Sequence, residues 1–293
     1  MPDFLLDLLI SSLTSGLSKT LTAPIERIKL LLQLQDASSQ IPASSRYTGV
    51  WNCTIRVLKD QGVLSFWRGN LANVVRYIPS MAFAFATKDW FKRTFCRFDA
   101  EKDKMKFYWG NLASGGFGGA AAALVTYPLD FTRTRLAADI GRVRKERLYL
   151  GTVDCVQKVI KTDGVKGIYR GISVALPVFI LYRSLYFGLY DSWTYTAKGG
   201  NSTLAPASRL LIAVTVTTIA SITLYPFDTI RRRFMMQSGR SDLLYSGIID
   251  CARKIYATEG INGYFKGGLV NLTRSSGGAF CLVLYDLLKA NTH

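Results

Sequence analysis

Histidine is almost absent from the chain: the only one among 293 residues is His293, at the last position. This absence argues against a Ser-His-Asp triad, a histidine general base and a histidine zinc site. The five cysteines are odd in number and contain no CxxC pair, so no disulfide framework is predicted. We therefore expect no metal, no catalytic site and no enzymatic cofactor.

Acidic residues are also few, because 20 Asp and Glu face 37 Lys and Arg and leave a net charge of +17. Hydrophobic residues nevertheless make up 49% of the chain, which excludes a disordered basic protein. This combination indicates a membrane protein whose charges lie outside its spans. Nucleic-acid binding is disfavoured, since it leaves the apolar segments unexplained and no recognition motif is present.

Three motifs recur three times in the same order, with about 100 residues per unit. The first is a proline followed by an acid and a base: Pro24, Glu26 and Lys29; Pro128, Asp130 and Arg133; Pro226, Asp228 and Arg231. The other two, an aromatic–x–Gly and an aromatic–base–Gly motif, end on Gly49, Gly69, Gly151, Gly171, Gly247 and Gly267. The chain is therefore predicted to be one membrane domain of three repeats, over 1–98, 107–197 and 205–293.

Each repeat holds two apolar segments of about 20 residues, long enough to cross a bilayer as helices. The predicted fold is all-α, with six transmembrane helices in pseudo-threefold symmetry and three short amphipathic helices between paired spans. Two amphipathic stripes are Trp51, Ile55, Leu58 and Ile248, Ala252, Ile255. The long connections 27–68, 131–170 and 229–266 carry +14 of the net charge, so both termini are predicted on the opposite face.

The acid and the base of each proline motif lie three residues apart and share a helix face. They could pair locally at a helix end, or form a ring in which each acid binds the base of the next repeat. Threefold placement favours the ring, which would close one mouth of a central cavity. A second candidate ring ends the even-numbered spans: Asp89 and Lys92, Asp191 and Thr194, Asp286 and Lys289. Two closable mouths are typical of alternating access.

Isolated bases inside apolar spans are energetically unfavourable and indicate function. Four are present: Lys19, Arg76, Arg183 and Arg274. Snorkelling to the interface is a plausible explanation only for Arg183. The other three predict a polyanionic substrate, and the tyrosine stripe Tyr182, Tyr186, Tyr190 could stack a nucleobase, although an ordinary core stripe has the same spacing. The repeated glycines precede helices whose N-termini could hold anionic lipid head groups.

These motifs resemble the mitochondrial carrier family over the whole chain. The stretch Arg231, Arg232, Arg233, Phe234, Met235, Met236 is similar to the hallmark of its ADP/ATP carriers, with Phe234 in place of the first methionine. The resemblance implies exchange of ADP for ATP across the mitochondrial inner membrane. It also implies cardiolipin at the repeated glycines, termini in the intermembrane space, and a functional monomer that could dock in a larger inner-membrane complex.

Site residues follow from the resemblance by position. The substrate phosphates would bind Lys19, Arg76 and Arg274, the adenine would lie near Tyr182, and Lys88 would also belong to the substrate-binding site. The matrix gate would pair Glu26 with Arg133, Asp130 with Arg231 and Asp228 with Lys29, with Gln33 as a brace. The cytoplasmic gate would pair Lys92 with Asp286 and Asp191 with Lys289, and Asp89 would face Thr194.

Four positions depart from the ADP/ATP carrier pattern around the predicted adenine pocket: Ala84, Val178, Phe179 and Leu224. A carrier of another nucleotide or of a phosphorylated cofactor is therefore the alternative within transporters. A structural or proton-leak role in an inner-membrane assembly is the alternative from another class.

Overall fold

The structure, a computed structural model, describes residues 2–95, 103–198, 206–240 and 242–271. Within these ranges it consists of helices and loops and contains no β-strand, which confirms the all-α prediction for this part. The first repeat forms α1 (Pro2–Leu34), α2 (Val50–Gln61), α3 (Asn70–Val75) and α4 (Tyr77–Phe95). The second forms α5 (Lys104–Ala138), α6 (Thr152–Ile168) and α7 (Ile172–Lys198), and the third α8 (Pro206–Thr223), α9 (Tyr225–Met236) and α10 (Ile248–Tyr264).

The signature prolines occupy two different helical contexts. Pro24 and Pro128 lie inside the continuous helices α1 and α5. In the third repeat the helix breaks at Leu224, the axes of α8 and α9 differ by 54°, and Pro226 lies in the first turn of α9. A first-turn proline loses no intrahelical hydrogen bond, whereas an internal one does. The third copy thus has a sharp bend where the other two remain continuous.

Hydropathy singles out few of the described helices as membrane spans. Ile172–Thr194 is long and apolar enough to cross a membrane, and the bent pair Ser208–Thr223 and Tyr225–Met236 is a second candidate. The sixth segment, expected between Lys266 and Asp286, runs outside the described residues. The six-span arrangement therefore stays a prediction.

The helices α2, α6 and α10 each present one apolar side chain outward at equivalent positions. Trp51, Val153 and Ile249 are 80%, 69% and 70% exposed. In the first repeat the predicted stripe, which begins at Trp51, faces outward. In the third repeat the predicted stripe was wrong by one residue, because it included Ile255, which is 1% exposed. Ile255 belongs to the core, as do its equivalents Val57 and Val159 in the other repeats.

Hydrophobic packing lies mainly beneath these short helices and where the long ones converge. Each repeat has its own cluster around a buried cysteine, Cys53, Cys155 or Cys251, and burial raises the pKa of each thiol to about 12. A separate cluster joins the ends of α1, α5 and α9 through Leu30, Leu34, Ala37, Ala137, Ala138 and Met236. All three repeats therefore meet in this apolar cluster. The preceding turns of the same helices carry charged residues, and a cavity lies beyond them.

Candidate substrate-binding site

A cavity of about 360 Å³ opens between the long helices. Its charged lining residues in the described part of the chain are Lys29, Arg76, Arg183, Arg231, Arg232, Asp130 and Asp228. Five bases against two acids leave three positive charges in excess. A concave site with low-dielectric walls strengthens such a field, so the cavity favours a polyanion.

Three ion pairs each join two different repeats, and two of them, Arg231 with Asp130 and Lys29 with Asp228, line the cavity. Arg133 donates to Glu26, and Arg231 donates to Asp130. Lys29 Nζ lies 3.2 Å from Asp228 Oδ2. This ion-pair ring follows the pairing that the repeat positions predict. We name the three contacts junction 1–2, junction 2–3 and junction 3–1 after the repeats that each joins.

Aromatic rings support two of the three junctions. The Arg231 guanidinium lies 5.2 Å from the centre of the Tyr127 ring, and Lys29 Nζ lies 4.8 Å from that of Tyr225. Both tyrosine hydroxyls donate to backbone carbonyls, which fixes the rings in place. The first repeat has Ala23 at the position of these two tyrosines. Cation–π contact with an equivalent tyrosine therefore stabilises junctions 2–3 and 3–1.

Buried amides support a different pair of junctions. Lys29 Nζ donates to Asn271 Oδ1 at 2.9 Å, and Asn73 Nδ2 donates to Glu26 at 3.5 Å. The second repeat has Ala175 at this position. Sequence reasoning missed these amides, although the repeat intervals of 102 and 96 residues place all three positions in register.

The three consecutive arginines bind three different carboxylates. Arg231 binds Asp130 of the second repeat, whereas Arg232 Nε lies 2.9 Å from Asp228 on its own helix. Arg233 is buried and binds Glu259 of α10. Burial alone would raise the pKa of the Glu259 carboxyl, but hydrogen bonds from Arg233 and Lys266 lower it to about 2. The methionines Met235 and Met236 pack in apolar clusters, and Phe234 lies 6.0 Å from the Arg170 guanidinium.

The predicted substrate-binding bases differ in their positions. Arg76 lines the cavity at the break between α3 and α4, with Nη1 3.9 Å from Asp130 Oδ1. Its Nε is buried and has no hydrogen-bond partner among the described residues. Lys19 lies over the Tyr77 ring at 4.2 Å, Lys88 packs against Gly118, and neither is among the described lining residues. Arg274 lies outside the described residues.

One wall of the cavity is aromatic. Tyr182 and Phe179 line it, and the Arg183 guanidinium lies 5.4 Å from the centre of the Phe179 ring. That ring occupies the space which a side chain at Gly119 would need. The predicted tyrosine stripe continues with Tyr186 and Tyr190, which stack at 5.8 Å. Ala84, Val178 and Leu224 also line the cavity, so all four departures from the expected pattern face it.

A model of the mitochondrial carrier protein family matches residues 2–99, 104–197 and 202–293. The chain belongs to the mitochondrial carrier family. This carrier is 50% identical to human ADP/ATP translocase 3 over 296 residues, which covers 98% of the chain and 97% of that protein. It is 49% identical to rat ADP/ATP translocase 2 over 99% of the chain and 98% of that protein. It is also 50% identical to the Dictyostelium discoideum mitochondrial substrate carrier family protein ancA, over 98% of the chain and 93% of that protein.

Three of the repeated glycines mark close helix contacts in this mitochondrial carrier. Gly69, Gly171 and Gly267 have positive φ, and a Cβ atom on each would lie 2.9 to 3.2 Å from the backbone oxygen of Arg133, Arg231 and Lys29 respectively. Each glycine thus lets its segment approach the base of the ion-pair ring in the next repeat, a packing role that sequence reasoning missed. Gly49, Gly151 and Gly247 precede α2, α6 and α10 in extended conformation.

The second predicted ring of this carrier is only partly described. Asp89 is exposed and Lys92 is half-buried on α4. Asp286 and Lys289 lie outside the described residues, as does the side chain of Asp191. The Thr194 hydroxyl is buried and has no hydrogen-bond partner among the described residues, so no contact with Asp89 is formed. The pairings of this ring remain predictions.

Proposed function

We propose that this carrier exchanges ADP for ATP across the mitochondrial inner membrane by alternating access. The observation that carries the proposal is the basic cavity beside a ring of three inter-repeat ion pairs, two of which line it. A polyphosphate fits the positive excess, and ion pairs between repeats can break and re-form as a gate. The curated relatives named ADP/ATP translocases, about 50% identical over nearly the whole chain, support the same substrates.

The topology we propose has six spans, with the long basic connections in the matrix and both termini in the intermembrane space. The ion-pair ring is then the matrix gate, with Gln33 donating to Thr229 at 2.8 Å beside it. Asp89, Lys92, Asp191, Asp286 and Lys289 would form the cytoplasmic gate. The described conformation, with the matrix ring formed, corresponds to the cytoplasm-open state.

Arg76 links substrate binding to the matrix gate in this proposal. Its Nη1 is 3.9 Å from Asp130, whose carboxylate also binds Arg231. A phosphate bound to Arg76 would lie close to Arg231 and Lys29 and would compete with Asp130 and Asp228 for these bases. Substrate binding would thereby loosen the ring. Lys19, Lys88 and Arg274 would complete the phosphate path, and Tyr182 would contact the adenine.

Lipid binding is the remaining part of the proposal. Cardiolipin phosphates would bind the backbone N–H groups beside Gly49, Gly151, Gly247, Gly69, Gly171 and Gly267, where helices begin at the membrane surface. The functional unit would be a monomer, since each complete cavity is built by one chain.

The test is exchange in cardiolipin-containing liposomes loaded with ADP, ATP, GDP or GTP. We expect ADP/ATP exchange that responds to an imposed potential, because the two nucleotides differ by one charge and 100 mV acts on it with about 2.3 kcal/mol. Arg76→Ala should abolish exchange, whereas Arg93→Ala, at an exposed base on α4, should retain it. Faster exchange of guanine nucleotides than adenine nucleotides would overturn the assignment and implicate Phe179 in base selection.

A further inference from the structure

A charge quartet lies beyond the ion-pair ring, outside the cavity, and joins the third repeat to the first; three of its members are buried and the fourth, Lys266, is 30% exposed. Its members are Asp36, Arg233, Glu259 and Lys266. Asp36 lies in the short helix Gln35–Ala37 that follows α1, and its side chain is only 6% exposed. The other three members belong to the third repeat.

The geometry of the quartet alternates bases and acids. Lys266 Nζ is 2.7 Å from Asp36 Oδ2 and 2.6 Å from Glu259 Oε2. Arg233 Nη2 is 3.1 Å from Asp36 Oδ2 and 2.8 Å from Glu259 Oε2. A fifth charge, Arg46, lies 2.9 Å from the other Asp36 oxygen. The links between Glu259 and the two bases are internal to the third repeat, so Asp36 is the member that makes the contact between repeats.

The other two junctions lack a carboxylate at this position. The equivalents of Asp36 are Ile140 in the second repeat and Ser238 in the third. Ile140 packs against the first repeat's apolar cluster, and the Ser238 hydroxyl lies 3.1 Å from Asp163. The threefold architecture therefore does not require an acid here, and the packing of a long helix end does not explain one.

We propose that Asp36 is a positioning residue that holds repeats 1 and 3 together in the cytoplasm-open state and releases when the matrix side opens. The inference rests on the proposed alternating access. Separation of repeats 1 and 3 on the matrix side must break the contacts of Asp36 with Arg233 and Lys266, because Asp36 belongs to the first repeat and both bases belong to the third. The quartet thus adds a second ionic link to junction 3–1, at a distance from the substrate.

The test measures the separation of repeats 1 and 3 directly. Spin labels are placed at two exposed positions, Ser44 and Ala257, in a cysteine-free protein reconstituted in liposomes. Asp36→Asn and Lys266→Gln should each raise the ratio of long to short distances by about tenfold, and the double variant should add little more. Asp36→Glu should resemble the parent. Asp250→Asn, which removes a more exposed pair with Lys254 within α10, is the matched control and should also resemble the parent.

Equal distance distributions for Asp36→Asn and Asp250→Asn would overturn the inference. If Asp36→Asn does not fold, Lys266→Gln decides by the same criterion, because it leaves the Arg233–Glu259 pair in place. Nucleotide exchange by the parent is measured in the same liposomes. A parent that does not exchange ADP for ATP refutes the proposed function, whereas the distances alone decide on Asp36.

Discussion

Junctions 1–2 and 3–1 have the same ring position but are held by different chemistry. At junction 3–1, Asp228 binds both Lys29 and Arg232, Tyr225 and Asn271 contact Lys29, and the charge quartet adds a second ionic layer. At junction 1–2, Glu26 binds Arg133, and the outer layer consists mainly of hydrogen bonds to neutral groups. Arg27 donates there to the backbone oxygens of Ala137 and Asp139 at 3.2 and 2.9 Å, and to Gln61 Oε1 at 2.6 Å.

The difference teaches that threefold sequence symmetry does not make three equal contacts. Gln61 and Glu259 are equivalent, and so are Arg68 and Lys266. The first repeat has a neutral amide where the third has a carboxylate. Arg27 is itself charged, so its hydrogen bonds are also stronger than those between neutral groups, but only at junction 3–1 are both partners charged. We therefore expect junction 3–1 to be the more stable and the more sensitive to loss of charge.

The largest expected effect is on the ring itself. Asp228→Asn removes the carboxylate from two buried bases and should lower the free energy of unfolding by about 3–5 kcal/mol. Glu26→Gln, at junction 1–2, removes the carboxylate that Arg133 binds. We expect a smaller loss of about 1–3 kcal/mol there, because Asp228 is the carboxylate that two bases, Lys29 and Arg232, share. Thermal unfolding of the purified variants measures both. If Glu26→Gln loses more unfolding free energy than Asp228→Asn, junction 1–2 is the more sensitive of the two to loss of charge.

Acidic pH should lower the stability that the outer layer contributes at junction 3–1, but not the contribution at junction 1–2. The folded-state pKa of Glu259, about 2, lies below its ordinary value of 4.5, so the carboxylate stabilises the fold above pH 4.5 and this contribution disappears as the pH falls towards 2. Glu259→Gln should be less stable than the parent by about 1.5–3 kcal/mol at pH 7, and the gap should narrow below pH 4.5.

The matched control for the acid experiment is Gln61→Ala. Gln61 does not titrate, so the difference in stability between this variant and the parent should be the same at pH 7 and at pH 4. Unfolding curves between pH 7 and pH 3 give both differences. If the difference in stability between Glu259→Gln and the parent stays constant over this range, the ion pairs of the Glu259 carboxylate with Arg233 and Lys266 do not contribute to stability.

Contacts that recur at equivalent positions in all three repeats could be predicted from the sequence. The pairings of Glu26, Asp130 and Asp228 with bases of the next repeat follow from one motif at fixed intervals, because equivalent residues occupy equivalent places in a pseudo-threefold bundle. The all-α fold follows from the same repeats and the apolar segments. The family and its relatives then agree with the motifs.

Contacts that break the repeat could not be predicted in this way. Arg27 lies three residues after its proline, whereas Arg135 and Arg233, which make similar contacts, lie seven after theirs. Asp36 contacts residues about 200 positions away, and an acid in a polar loop is ordinarily solvated. The wrong stripe on α10 has a simpler origin, since Ile248 and Ile249 are both apolar and periodicity alone does not choose between two adjacent faces.

Junction 1–2 can be given the chemistry of junction 3–1. Gln61→Glu is isosteric and would place a carboxylate 2.6 Å from the Arg27 guanidinium, so we expect a gain of about 1 kcal/mol in thermal unfolding. Gln40→Glu at the same junction is the control and should destabilise. Gln40 Nε2 donates to Asp139 at 3.0 Å, and a carboxylate there would face another carboxylate. Destabilisation by both variants would show that this junction excludes added negative charge whatever its position.

The smallest effect is expected from the exposed ion pair of junction 1–2. Arg142 Nη2 lies 2.7 Å from Asp60 Oδ1, but the two side chains are 62% and 38% exposed. Water screens such a pair, so Asp60→Asn should change the free energy of unfolding by about 0–1 kcal/mol, and less at high salt. The N–O distance of this pair equals that of Lys266 and Asp36, but Asp36 is buried and also binds Arg233 and Arg46. If Asp60→Asn is as disruptive as Asp36→Asn in thermal unfolding, neither burial nor a shared charge network sets the strength of these links, and junction 1–2 is held by surface charge as firmly as junction 3–1 is by buried charge.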